Sequence, residues 1–218
     1  MTVHLNGDVR MKHQTEVILD LTKPLDCSLE IYVEHDYRDP DFSCVEWCSI
    51  EEQGYRVSAL SLGTQTGTHI DAPAHFDSSG PCLEALSLDN LMGRYFLMDL
   101  PRNIDHDHVK MLCHAYGDEP ILFVRADSSG LTTITQRALE ELLNLPPVVW
   151  AVSGTMQVAA ADSLEFHRVL ARSGKFLIEN LHAELVNEVR AGGELFALPL
   201  KLVGTSGSPC RVAVRQSR

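Results

Sequence analysis

The chain has 218 residues, of which 44% are apolar, and a formal net charge of −12 at pH 7. That is enough apolar material for one sizeable core and argues against global disorder. An acidic balance of this size argues against a general nucleic-acid or anionic-membrane binder, both of which need clustered positive charge; a small anionic substrate would need only one or two local cations.

No apolar run approaches the roughly 18 residues of a membrane helix. The opening MTVHLNGDVRMKHQTE is too polar for a signal peptide, so residues 1–16 are expected to be a flexible N-terminus and the protein cytoplasmic. Six cysteines (Cys27, Cys44, Cys48, Cys82, Cys113 and Cys210) form no CxxC pair and are read as free thiols of a reducing compartment. Cys44 and Cys48 would sit one turn apart on a helix, but two thiols fall short of a closed zinc site.

In chain order, Val17–Leu21 reads as a strand that ends at the Lys23-Pro24 turn signal. Residues 25–56 are polar and without clear periodicity, longer than a plain connector, and suit a lid or a dimer arm. Val57–Thr64 reads as a strand. Further on, Tyr95–Leu100, Ile121–Arg125, Val148–Val152 and Lys175–Glu179 read as buried strands. Between them, Asp105–Tyr116, Thr135–Leu145, Ser163–Arg172 and Leu181–Ala191 carry helical patterns, several stopped by Pro or Gly. Leu195–Val203 and Cys210–Val214 complete the strands. Without repeats or a linker, residues 1–218 are expected to form a single mixed-sheet α/β domain.

The segment Gly63-Thr-Gln-Thr-Gly-Thr-His-Ile-Asp-Ala-Pro-Ala-His-Phe76 carries the chemistry. His69 and Asp71 are two apart, so on extended backbone they project from one side; His75 follows Pro73, where the chain must turn. Imidazole and carboxylate together bind divalent first-row ions such as zinc or manganese, and Gln65 adds an amide oxygen nearby. His167, in helical register with Leu164 and Leu170, could equally be a hydrogen-bonded core histidine. Glu179 closes the apolar run Phe176-Leu-Ile, where a carboxylate needs a metal or a basic partner. A rival group, Asp105-His-Asp-His108 with His114, fits a helix N-terminus and its solvated face.

The segment resembles the His-x-Gly-Thr-His-x-Asp-x-Pro-x-His signature of the cyclase-type metal-dependent hydrolases, the family of bacterial kynurenine formamidase and isatin hydrolase. Leu19–Leu25, Phe166–Leu170, Phe176–Leu181, Leu198–Leu202 and Gly207–Arg211 resemble other parts of the family, so the likeness spans residues 17–214. It implies one or two divalent ions. The first would be held by the positions of Gln65, His69 and Asp71, the second by Asp71, His75, His167 and Glu179. Gln65 stands where the family has its first histidine, and a neutral amide is a poorer zinc ligand than imidazole. Arg125–Gly130 and Ser153–Gln157 also depart from the family pattern.

The resemblance implies a metal-dependent hydrolase acting on an amide, lactam or lactone bond of a small aromatic or carboxylated molecule. His69, Asp71, His75 and Gln65 would carry the catalysis, with His75 as general base if it is not a ligand. Two alternatives remain open: a biosynthetic cyclase, dehydratase or lyase with an altered or absent metal, and a non-catalytic small-molecule binder. Homodimers or homotetramers are expected by analogy.

Overall fold

Three runs, Ile121–Arg125, Val149–Ser153 and Phe176–Glu179, are buried along nearly their whole length. Strands apolar on both faces must be covered on both sides, which makes them the parallel centre of a sheet. The computed structural model describes residues 16–218. In chain order the strands and helices are β1 (Glu16–Asp20), β2 (Val33–Glu34), β3 (Tyr37–Arg38), β4 (Ser43–Cys48), α1 (Ile50–Gln53), β5 (Val57–Ser61), β6 (His69–Asp71), β7 (Met92–Asp99), β8 (Asn103–Ile104), α2 (His106–Cys113), β9 (Ile121–Arg125), β10 (Leu131–Ile134), α3 (Gln136–Leu143), β11 (Val149–Ser153), β12 (Thr155–Val158), α4 (Glu165–Arg172), β13 (Phe176–Glu179), β14 (Glu194–Pro199) and β15 (Gly207–Ser217).

The main sheet runs β1-β15-β14-β7-β9-β11-β13-β6, and β6 pairs with β15 as well, so the sheet closes on itself as a barrel. β7, β9, β11 and β13 are parallel, and the remaining pairings are antiparallel. β15 is the closing element: successive parts of it face β6, β14 and β1.

Side chains alternate between two cores along the central strands. Ile121, Phe123, Val149, Ala151 and Ile178 join Leu195, Val212 and Ile70 in one; Leu122, Val124, Trp150 and Leu177 join Leu139, Leu142 and Leu170 of the helices in the other. Asp105 caps α2 by accepting from His108 N at 3.0 Å, and Thr135 caps α3 by accepting from Ala138 N at 3.3 Å. The Asp105–His108 group therefore has a structural role.

Several sequence expectations shift. Leu181–Ala191 forms one 3-10 turn, Leu185–Glu188, in place of a helix. The Cys44–Cys48 pair lies on a strand, which removes the helical spacing that suggested a metal. Residues 25–56 hold the β2–β3 hairpin and one strand of the β4–β5 hairpin; among the described residues both hairpins pair only within themselves. β10, β12 and β8 form a small parallel sheet that periodicity did not reveal. The expectation for the N-terminus falls on residues 1–15, outside the described residues, while Glu16 already belongs to β1.

Trp150 is fully buried between strands and helices, with its indole Nε1 donating to Pro147 O at 3.1 Å. Trp150→Ala should lower unfolding free energy by about 3–5 kcal/mol, read from urea denaturation; a loss below about 1 kcal/mol would refute this packing.

Candidate metal centre

β6 is only three residues long, and both of its outer side chains are buried, His69 at 2% exposure and Asp71 at 5%. Its pairing with β13 sets Glu179 opposite His69. Its pairing with β15 sets Gly207 opposite Asp71. A side chain at 207 is excluded, since a Cβ there would lie 2.6 Å from Ile70 O and 2.7 Å from Gln65 Nε2. Register thus brings two carboxylates and an imidazole to one point.

His69 Nε2 lies 3.4 Å from Asp71 Oδ1 and 3.3 Å from Glu179 Oε1, and ligand atoms of the three residues all fall within 4.8 Å of one another. These approaches lack hydrogen-bond geometry: His69 Nε2 and Asp71 Oδ1 are buried without a hydrogen-bond partner. The other ring nitrogen, Nδ1, is 2.8 Å from Gly67 O and must carry a proton to donate there, which leaves the Nε2 lone pair facing the carboxylates. From α4, His167 Nε2 reaches Glu179 Oε2 at 3.1 Å, and its Nδ1 is also buried without a partner.

Burial opposes charge on His69, but the Asp71 and Glu179 carboxylates outweigh it and raise its pKa well above the ordinary histidine value. Burial likewise opposes charge on His167, and Glu179 overrides it upward. For Glu179, burial favours the neutral acid, yet His167 and His69 hold its pKa well below the carboxylate range. A buried group of this kind calls for a cation, either a proton on His69 or a metal ion among the three. The mixed nitrogen and oxygen donors and the orphaned atoms suit a divalent ion such as zinc or manganese.

The remaining expected residues line the same cavity, which has a volume of about 860 Å³. His75 is exposed on the turn after β6, edge-on to Phe76 with ring centroids 4.4 Å apart, and its side chain has no hydrogen bond to another described residue. It stands outside the tight trio. Gln65 turns elsewhere: its Oε1 accepts from Thr64 Oγ1 at 2.5 Å and its Nε2 donates to Ser206 Oγ at 3.4 Å. The densest grouping therefore takes His69 from one expected ion set and Glu179 from the other, joined by Asp71. Gly207 and the β2–β3 hairpin were not singled out beforehand as parts of the site. The alternation of Tyr32 and Glu34 against Tyr37 and Asp39 was the signal available for the hairpin.

A sequence model of the cyclase family matches residues 19–168. The chain belongs to the cyclase family. It is 30% identical over 187 residues to a kynurenine formamidase of Paracidovorax citrulli, covering 78% of this chain and 85% of that one. A kynurenine formamidase of Delftia acidovorans is 28% identical over 186 residues, covering 78% and 86%. The fold matches isatin hydrolase A from Labrenzia aggregata with a TM-score of 0.76, at 19% identity and 93% and 94% coverage. It also matches a Bacillus stearothermophilus structure described as a predicted metal-dependent hydrolase, with a TM-score of 0.68, 23% identity and 92% and 98% coverage. This cyclase-family chain is a hydrolase, and it carries a candidate metal site. No helix among the described residues is long and apolar enough to cross a membrane.

The raised pKa of His69 means that its pairing with the carboxylates stabilises fully below the ordinary value of 6.5 and is lost as pH rises through the folded value. The lowered pKa of Glu179 means that its contribution is present above 4.5 and is lost as pH falls through the folded value. The metal-free protein therefore draws most on this cluster between pH 4.5 and 6.5. An ion must displace the His69 proton. Zinc titration of metal-free protein near pH 6.5, followed by calorimetry in buffers of different ionisation heat, should show proton release and affinity that rises with pH. Binding without proton release would remove His69 from the ligand set.

Proposed function

We propose that this cyclase-family enzyme hydrolyses an amide, lactam or lactone bond in a small aromatic molecule, using one divalent ion, zinc or manganese, held by His69, Asp71 and Glu179. The observation that carries the reading is the pair of orphaned buried atoms, His69 Nε2 and Asp71 Oδ1, on the floor of the cavity. The formamidase and isatin hydrolase likenesses support the reaction class. A bound ion supplies Lewis acidity, lowering the pKa of a water and polarising the scissile carbonyl.

The chain's own groups do the rest. The Gly67 carbonyl fixes the ring orientation of His69, and His167 holds the outer oxygen of Glu179. Phe76 and Phe166 flank His167, with ring centroids at 5.3 and 5.9 Å, and give an aromatic substrate an apolar wall. His75, unbonded at the mouth, accepts a proton from the attacking water and returns it to the leaving nitrogen or oxygen. Water oxygen adds to the carbonyl carbon, the C–N or C–O bond breaks, and a carboxylic acid is released with the amine or alcohol. The exposed apolar side chains Val45, Trp47, Val57 and Leu60 on the β4–β5 hairpin support the expected homodimer or homotetramer.

In water labelled with heavy oxygen, hydrolysis of a formanilide should place the label in the carboxylate product. Activity should vanish with chelator and return with metal. His69→Ala and Asp71→Ala should each cost several orders of magnitude in turnover while the protein stays folded, because the lesion lies in the site. Turnover without label, indifferent to chelator, would instead favour a cyclisation or elimination.

With its acceptor oxygen engaged by Thr64, Gln65 is a poor ligand for a second ion. Gln65→His should raise metal content from one ion per chain toward two, measured by elemental analysis. Two ions in the unaltered protein would contradict the one-ion reading.

A further inference from the structure

The rim of the cavity carries more negative charge than hydrolysis at its floor requires. The β2–β3 hairpin and its flanks place Tyr32, Glu34, Tyr37 and Asp39 on the cavity wall, and Glu30 and Asp127 join them. These four carboxylates are additional to Asp71 and Glu179. The cations on the lining are Lys23 and Arg125, and Arg125 is already committed. Its Nε and Nη2 donate to Asp99 at 2.6 and 3.0 Å, and its Nη1 donates to the carbonyls of Val186 and Val189 at 2.9 and 3.0 Å. A divalent ion on the floor would offset Asp71 and Glu179 and leave the rim acids as they are.

The two tyrosines give this acidic rim a specific surface. Their ring centroids are 6.4 Å apart with planes tilted by 50°. Tyr32 donates to Glu34 at 2.5 Å and Tyr37 to Asp39 at 2.7 Å. Sharing a phenolic proton with a carboxylate pushes electron density into the ring, and Glu34 pushes the Tyr32 pKa up to about 12. Electron-rich ring faces beside carboxylates are the surroundings that attract ammonium and quaternary ammonium groups. The rim belongs to the same cavity as the floor, where His69 Nε2 and Asp71 Oδ1 are buried without partners.

The geometry points to a substrate that carries an ammonium or quaternary ammonium group remote from its scissile bond, seated against Tyr32 and Tyr37 between Glu34 and Asp39. The scissile bond rests on the hydrolase reading, whereas recognition of the cation does not. A carboxylated substrate would meet four like charges against a single uncommitted cation, Lys23, on entry, so this inference narrows the aromatic or carboxylated class expected from the sequence.

The test uses the metal-loaded full chain and three para-substituted formanilides: the trimethylammonio compound, its neutral tert-butyl isostere and the carboxylate. Dissociation constants come from calorimetry and turnover is measured separately. The cation should bind at least about tenfold more tightly than the isostere, and the carboxylate more weakly than either. The gap should narrow in high salt and shrink several-fold in E34Q/D39N, whose substitutions lie on an exposed hairpin and whose folding is checked by circular dichroism. Equal binding of all three, preference for the carboxylate, no binding of any, or a gap unchanged in E34Q/D39N would overturn the inference. Tightest binding of the cation with no hydrolysis of any probe would support it while sinking the hydrolase reading; hydrolysis of all three with equal affinity would do the reverse.

Discussion

Two carboxylates and an imidazole are forced together under cover where β13, β6 and β15 meet, and that enforced proximity is the constraint on which the molecule is organised. An uncompensated ion in such a place costs on the order of several kcal/mol. The chain accepts the arrangement because backbone pairing, not side-chain attraction, sets it: Glu179 stands opposite His69 through strand register. A one-residue slip of β13 would turn Glu179 to the opposite face and dissolve the site.

Barrel closure makes that register firm. β15 pairs with β6 over Gly207–Pro209, with β14 over Cys210–Arg215 and with β1 over Ala213–Ser217, so three strands hold one another through it. The wall of the cavity follows a different rule. Its aromatic and acidic residues sit on the β2–β3 hairpin, which is joined to no strand of the barrel. Groups that must be held in place stand on the barrel, and groups that face the remote end of a substrate stand on an appended element that can vary without disturbing the floor.

The sequence made the floor legible because its chemistry is local. His69 and Asp71 lie two positions apart on one strand, and the strand runs that carry Glu179 and the barrel centre are apolar enough to recognise. Glu179 opposite His69 lies beyond even the family resemblance, which assigns the two to different ions, since cross-strand register leaves no trace in a single sequence. The Leu181–Ala191 pattern misled because its apolar residues answer to two unrelated demands. Val186 and Val189 pack into the barrel core while their carbonyls accept from Arg125. Val186 O also accepts from Val189 N at 3.3 Å, three residues on, so the backbone closes one 3-10 turn and no helix. β10 and β12 escaped notice because a short parallel pairing depends on distant partners and not on its own periodicity.

Gln65 makes sense in the ligand supply of the floor. Asp71 and Glu179 bring two negative charges, and one divalent ion cancels them with His69 neutral and its Nδ1 proton donated to Gly67. A second ion would need a further good donor beside this set. The neighbouring position offers a poor one, since the amide oxygen of Gln65 already accepts from Thr64. Ligand supply therefore favours a single ion. The glutamine then braces Ser206, the residue before Gly207, and Gly207 must remain without a side chain because a Cβ there would meet the Ile70 carbonyl and the Gln65 amide. Gln65 is thus held between Thr64 and Ser206, beside the strand that carries Gly207.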